Sequence, residues 1–210
     1  MNWHFAATAF ASAFTIIDPP GMIPMTLAVT AGVPVQARTR VVDQAVLIAA
    51  VVILVMAFVG QAILRYLGIT FPAFRIAGGI LLFMIAIDML FARQARTRQT
   101  EEETREAAQT DNPAAFPLAI PMIAGPGTIT TVLLLVGAAR GDVADYATIA
   151  VAFAVTLIAT WACMRAAAMI AHRIGTTGIN VMTRLLGIIL AALAVQFVIN
   201  GLAETPFFTK

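Results

Sequence analysis

Residues 14–30 read FTIIDPPGMIPMTLAVT, an Asp-Pro-Pro-Gly break set inside an apolar run that extends from Trp3 to Ala31. About a hundred residues later, 119–136 read AIPMIAGPGTITTVLLLV, a second Pro-Gly break inside a second apolar run. Pro19, Pro20, Pro24, Pro121 and Pro126 have no backbone N–H to donate, and Gly21, Gly125 and Gly127 permit unwound backbone. Lipid offers no partner for the polar groups this frees, so the breaks must face protein or a wet cavity. One such break is a kink. Two, at corresponding places in the two halves, point to a transporter-like site built from interrupted helices. A pair of packing kinks with no ligand is the plainer alternative.

Composition places the chain in a membrane. Of its 210 residues 60% are hydrophobic and 11% charged, with a mean hydropathy of +0.91. A soluble domain would carry about one quarter charged residues. The net charge of +2 says little about partners, and no face outside the membrane is large enough to carry a nucleic-acid patch. The lone Cys163 lies in an apolar span, which removes both a disulfide framework and a CxxC metal pair. No basic flank precedes the first apolar run: His4 is its only titratable residue before Asp18, and Arg38 is the first cation. The first run therefore reads as a retained membrane helix, not a signal peptide.

Each apolar stretch is near the ~20 residues that a bilayer core requires. The expected spans are 2–31 (broken), 42–67, 71–91, 116–139, 146–171 and 180–202. The fold class is thus an all-α membrane protein with six transmembrane segments in two inverted three-helix repeats. The first repeat is 1–91, a linker loop 92–115 follows, and the second repeat is 116–210. The linker holds the one strongly charged stretch, with a short helix expected over 100–108. Three spans per half reverse the membrane direction of the second half, so a relation between halves implies inversion. Pro20 and Gly21 align with Pro126 and Gly127 at an offset of 106, and the Arg-x-x-Gly starts at Arg75 and Arg184 align at 109.

Basic residues orient the spans. Arg38, Arg40, Arg93, Arg96, Arg98, Arg105, Arg173 and Arg184 fall on the side of the central loop, against Arg65, Arg75, Arg140 and Lys210 opposite. That excess puts the loop in the cytoplasm and both termini in the periplasm of an inner-membrane protein.

Asp18 is the one acid expected near mid-membrane, where a carboxylate needs water, a cation or donors. It reads both as an N-cap for the restarting helix and as a contact for a ligand or ion, and the two are compatible. The candidate binding residues are Asp18, Pro19, Pro20 and Gly21 at the first break. At the second they are Gly125, Pro126, Gly127, Thr128, Thr130 and Thr131. Helices restarting after each break offer N–H groups and a positive dipole to a carboxylate. Small residues (Ala77, Gly78, Gly79, Gly187, Ala191, Ala192) permit close helix contact. Arg75 and Arg184 are expected to cap span entrances, Arg165 to snorkel to the cytoplasmic side, and Asp88 to be hydrated. Gln196 and Asn200 either line a path or bond across helices. No Ser-His-Asp set, HExxH, P-loop or metal cluster is present in the sequence, so neither an enzyme nor a cofactor is expected.

These motifs are similar to those of a known family. IIDPPGMIP from Ile16, FRIAGGILLFMIAIDML from Phe74, PLAIPMIAGPGTITTV from Pro117 and RLLGIILAALAVQFVINGL from Arg184 resemble the MarC family in order and spacing. These are six-span inner-membrane proteins, also described as neutral amino acid transporters and distantly similar to LysE-type exporters. The resemblance implies transport of a small neutral amino acid with H⁺ or Na⁺ coupling, and it is compatible with a homo-oligomer. The alternatives are a structural or regulatory membrane protein that moves nothing, or an exporter of an unrelated small metabolite.

Overall fold

The computed structural model describes residues 3–30, 33–91, 112–139 and 141–205, and among these all regular structure is helical. The first apolar run forms α1 (Trp3–Ile17) and α2 (Met22–Val29), interrupted at residues 18–21. α3 (Val35–Tyr66) begins ahead of the expected Val42, because the polar turn holding Arg38 and Arg40 prolongs the helix back to Pro34. α4 (Phe71–Leu90) starts where Thr70 accepts a hydrogen bond from Ala73 N–H and Pro72 occupies the first turn.

The second apolar run is more irregular than its single Pro-Gly signal suggested. In α5 (Ala114–Ile123), Phe116 and Ile120 each precede a proline and take extended dihedrals, as residues before proline do. The coil is wide, and Ala124 N–H reaches back to Ala119 C=O at 2.9 Å. α6 (Pro126–Ala138) then departs at 51°.

The last two spans divide differently from the expected 146–171 and 180–202. α7 (Val143–Arg165) starts at its Asp142 cap, whose carboxylate accepts from Ala144 N–H at 2.8 Å, and stops at Ala166. α8 (Ala167–Ala203) carries a break of its own at Gly175, whose φ of 71° and ψ of 168° suit only glycine. Among the described residues four helices are long and apolar enough to cross a membrane: Gln36–Tyr66, Phe71–Leu90, Val143–Arg165 and Thr177–Ala203. The bent pair α5–α6 makes a fifth if it counts as one span. The linker helix expected over 100–108 lies outside the described residues.

α4 and α8 form the most extensive helix contact. They run antiparallel and touch through glycine. A Cβ at Gly79 would meet Ala194 C=O at 2.8 Å, one at Gly187 would meet Ala86 C=O at 3.2 Å, and one at Gly201 would meet Pro72 C=O at 3.1 Å. Backbones this close need small residues, which is how helices attract each other in lipid. Ala77 and Ala192, expected in this contact, are exposed instead, while Ala194 is buried in it. Around this axis α1 packs on α7, α3 on α5 and α6, α2 on α8, and α4 on α6.

Gly79→Val tests the contact. Its Cβ would press on a backbone carbonyl that has no rotamer to yield, so stability should fall by about 1–3 kcal/mol. Ala77→Val, on the exposed face two residues away, should be near neutral. Thermal unfolding of the purified proteins compares them, and equal midpoints would refute the packing.

Candidate functional site

At the first break the chain satisfies itself. Asp18 is 2% exposed and holds φ at 53°, in the left-handed region that Asp tolerates better than most residues. Its carbonyl accepts from Met22 N–H at 3.1 Å and its Oδ1 accepts from Gly21 N–H at 3.1 Å. This is a side-chain cap on the turn that leads into α2. Ile23 N–H bonds to Pro20 C=O, so the entrance of α2 has partners for its first donors. Gly21 is required here because the Asp18 carboxylate occupies the place of its Cβ. Two further residues approach from distant sequence. Thr183 Oγ1 of α8 makes a long 3.5 Å contact to Asp18 Oδ1, and Cys163 of α7 lies within electrostatic reach of it.

The second break is built differently. Gly125 is extended, and Pro121 C=O fills the space its Cβ would need. Thr128 Oγ1 donates to Ile123 C=O at 2.7 Å and so ties the start of α6 back across the break. No side chain caps α6, and the N–H groups of Gly127 and Thr128 have no acceptor within their own helix. They sit at a cleft of about 80 Å³ lined by Pro121, Met122, residues 125–128, Ile16 of α1, and Leu81 and Ile85 of α4.

The two breaks are neighbours. A Cβ on Gly127 would lie 2.7 Å from Ile16 Cδ1, and Ile16 stands two residues before Asp18. The structure does not bring all ten candidate residues to one surface. Asp18 does not line the cleft. Thr130 turns its methyl group onto Gly78 of α4, away from the break. Thr131 is fully buried, and its hydroxyl has no hydrogen-bond partner.

The sequence matches a known family model over nearly its whole length. The model for MarC family integral membrane proteins covers residues 3–205. The chain belongs to the MarC family. A UPF0056 membrane protein of Methanocaldococcus jannaschii is 36% identical over 96% of this chain and 98% of its own length. YhcE of Escherichia coli is 32% identical over 92% and 89%, and YvbG of Bacillus subtilis 32% over 96% and 96%. No solved structure matches the chain. This MarC protein is therefore an integral, multi-pass membrane protein.

Two charged clusters outside the breaks complete the picture. Arg75 does not simply cap a span entrance: its guanidinium is buried, paired to Glu204 at 2.8 Å and stacked 4.7 Å above Phe71. Arg165 snorkels as far as α3, where Asp43 Oδ2 lies at 3.6 Å, while Trp161 Nε1 donates to Asp43 Oδ1 at 2.7 Å. Sequence reasoning singled out neither Asp43 nor Glu204, nor Thr183. Gln196 and Asn200 bond neither across helices nor to the cleft; they bond to each other at 2.8 Å along α8. Among the described residues no group of His, Cys, Asp and Glu is arranged to hold a metal.

Proposed function

We propose that this MarC protein transports a small polar solute, a neutral amino acid being the leading candidate, and binds it between the two breaks. One observation carries the reading: a buried carboxylate caps one interrupted helix, and Ile16, two residues before it, packs on the uncapped helix start at the other. A zwitterion needs opposite charges at its two ends. The positive start of α6 suits a carboxylate, and Asp18 suits an amine or a coupling H⁺ or Na⁺. The α2 entrance is a poorer anion site than the residues alone suggested, because Asp18 and Pro20 already accept from its donors.

Two inverted repeats are supported by the packing. Exchanging α1 with α5, α2 with α6, α3 with α7 and α4 with α8 turns α1–α7 into α5–α3 and α2–α8 into α6–α4. It also leaves the antiparallel α4–α8 contact in place. On this reading α1 and α2 together supply the sixth span. Reporters fused at both termini should then report the periplasm, and one inserted near Thr100 the cytoplasm. A cytoplasmic C-terminus would sink the orientation or the span count.

Thermal-shift screening of purified protein against neutral amino acids, with and without Na⁺, tests the function. A solute held only by the folded state raises the unfolding midpoint, and the same solute should accumulate in proteoliposomes. A self-capped turn is equally at home in a membrane protein that moves nothing. That second reading prevails if no amino acid shifts the midpoint and none is accumulated.

A further inference from the structure

Among the described residues, half of the eight buried threonines satisfy their hydroxyls on the preceding helical turn. Thr26, Thr30, Thr156 and Thr160 each donate to the carbonyl four residues back at 2.7–2.8 Å. Ser12 and Thr131 do not. They are 1% and 0% exposed, the carbonyls four residues earlier are those of Thr8 and Gly127, and neither hydroxyl has a partner. A buried hydroxyl without a hydrogen bond costs about 1–3 kcal/mol, so two that decline a local carbonyl point to a partner the protein chain does not provide.

Helix register relates the two. Ile16 of α1 packs on Gly127 of α6. Ser12 is four residues before Ile16, and Thr131 four residues after Gly127, so each stands one turn further along the face that makes this contact. On the six-span topology α1 enters and α6 leaves on the same face of the membrane, so both positions lie on that side of the breaks. On α1 the polar line continues through Thr8, Ser12 and Thr15, spaced as one helical stripe that ends beside Asp18.

We infer that Ser12 and Thr131 hold water between α1 and α6 and mark the route by which the breaks are reached from the N-terminal face of the membrane. The inference rests on the transport reading but makes a separate claim, about solvent rather than solute. Buried water takes two to four polar partners, and two hydroxyls supply the minimum. The outward half of the path would be polar without being charged, leaving Asp18 the first charge met.

Accessibility measures this directly. In a Cys163→Ala background, Ser12→Cys and Thr131→Cys are compared with Ala13→Cys, whose native side chain is also 0% exposed. A charged methanethiosulfonate reagent is added to each protein in lipid nanodiscs, which present both faces. Cysteines on a hydrated route should react at least on the order of tenfold faster than one reached only by local opening of the packed bundle. Reaction at 12 and 131 no faster than at 13 would overturn the inference, whatever the uptake assay shows. Fast labelling without uptake would keep the wet route and remove the transporter.

A second measurement does not depend on the cysteine variants folding. In Ser12→Ala/Thr131→Val, a dry pair would be relieved of its unpaired hydroxyls and the unfolding midpoint should rise. A watered pair loses its bound water, so the midpoint should stay or fall. A rise overturns the inference.

Discussion

Asp18→Asn is expected to leave the protein folded and remove its ligand response. The variant keeps an oxygen to accept from Gly21 N–H, now 3.1 Å from Asp18 Oδ1, and Asn caps helices about as well as Asp. Asn also tolerates the 53° φ at this position. What disappears is the negative charge that an amine or coupling cation would need. Thermal-shift and Na⁺-dependent uptake should both be lost, with the unliganded unfolding midpoint almost unchanged. Asp18→Ala should lower stability as well. The lost cap costs about 0.5–2 kcal/mol, and a left-handed Ala adds roughly 1–2 kcal/mol. Gly21→Ala provides an independent approach, because its methyl group would displace the Asp18 carboxylate while leaving the acid in the chain. An Asn variant that binds and transports like the parent would reduce Asp18 to a cap.

Glu204→Ala should produce a large loss of stability. The side chain of Arg75 is 9% exposed, and Glu204 Oε1 lies 2.8 Å from its Nη1. Removing one partner of a buried pair strands the other charge, at a cost of about 3–5 kcal/mol. Glu204 is itself 33% exposed, so water can reach the gap, and the lower end of that range, about 3 kcal/mol, is expected. Phe71→Leu should cost about 0.5–1 kcal/mol from the cation–π contact. It should cost more through packing, since the ring also fills the space beside Gly137 of α6. Arg75→Met with Glu204→Leu should recover most of the loss, because apolar replacements of a buried pair are often neutral or better. Thermal unfolding of the single and double variants reads this as a cycle. A Glu204→Ala protein as stable as the parent would show that Arg75 is hydrated or held by other partners.

The legible parts of this protein are those whose physics is local. Apolar length identifies the helices able to cross a membrane, because hydrocarbon thickness sets how many residues are needed. Pro19, Pro20, Pro121 and Pro126 mark the interruptions, because a missing N–H and a fixed φ act within one turn of the chain. Asp18 could be read as a cap for the same reason: its partner, Gly21, is three residues away. The stop at Ala166 was less readable, since it falls inside the apolar stretch expected as one span, whereas the left-handed Gly175 falls in the polar segment 172–179 expected between spans.

A multi-pass helical membrane protein, its two interrupted segments and its membership of the MarC family are thus legible in the residues alone. Which charges meet depends on the packing of the helices. Trp161 reaches Asp43 across 118 positions and Thr183 reaches Asp18 across 165. Arg75 closes with Glu204 only because α4 and α8 lie antiparallel on their glycines. No local pattern encodes such pairs, because a side chain's electrostatic surroundings depend on neighbours brought by helix packing. The difference between the two breaks has the same origin. The motifs look alike, but Asp18 satisfies one helix start while Ile16, Leu81 and Ile85 wall a cleft around the other.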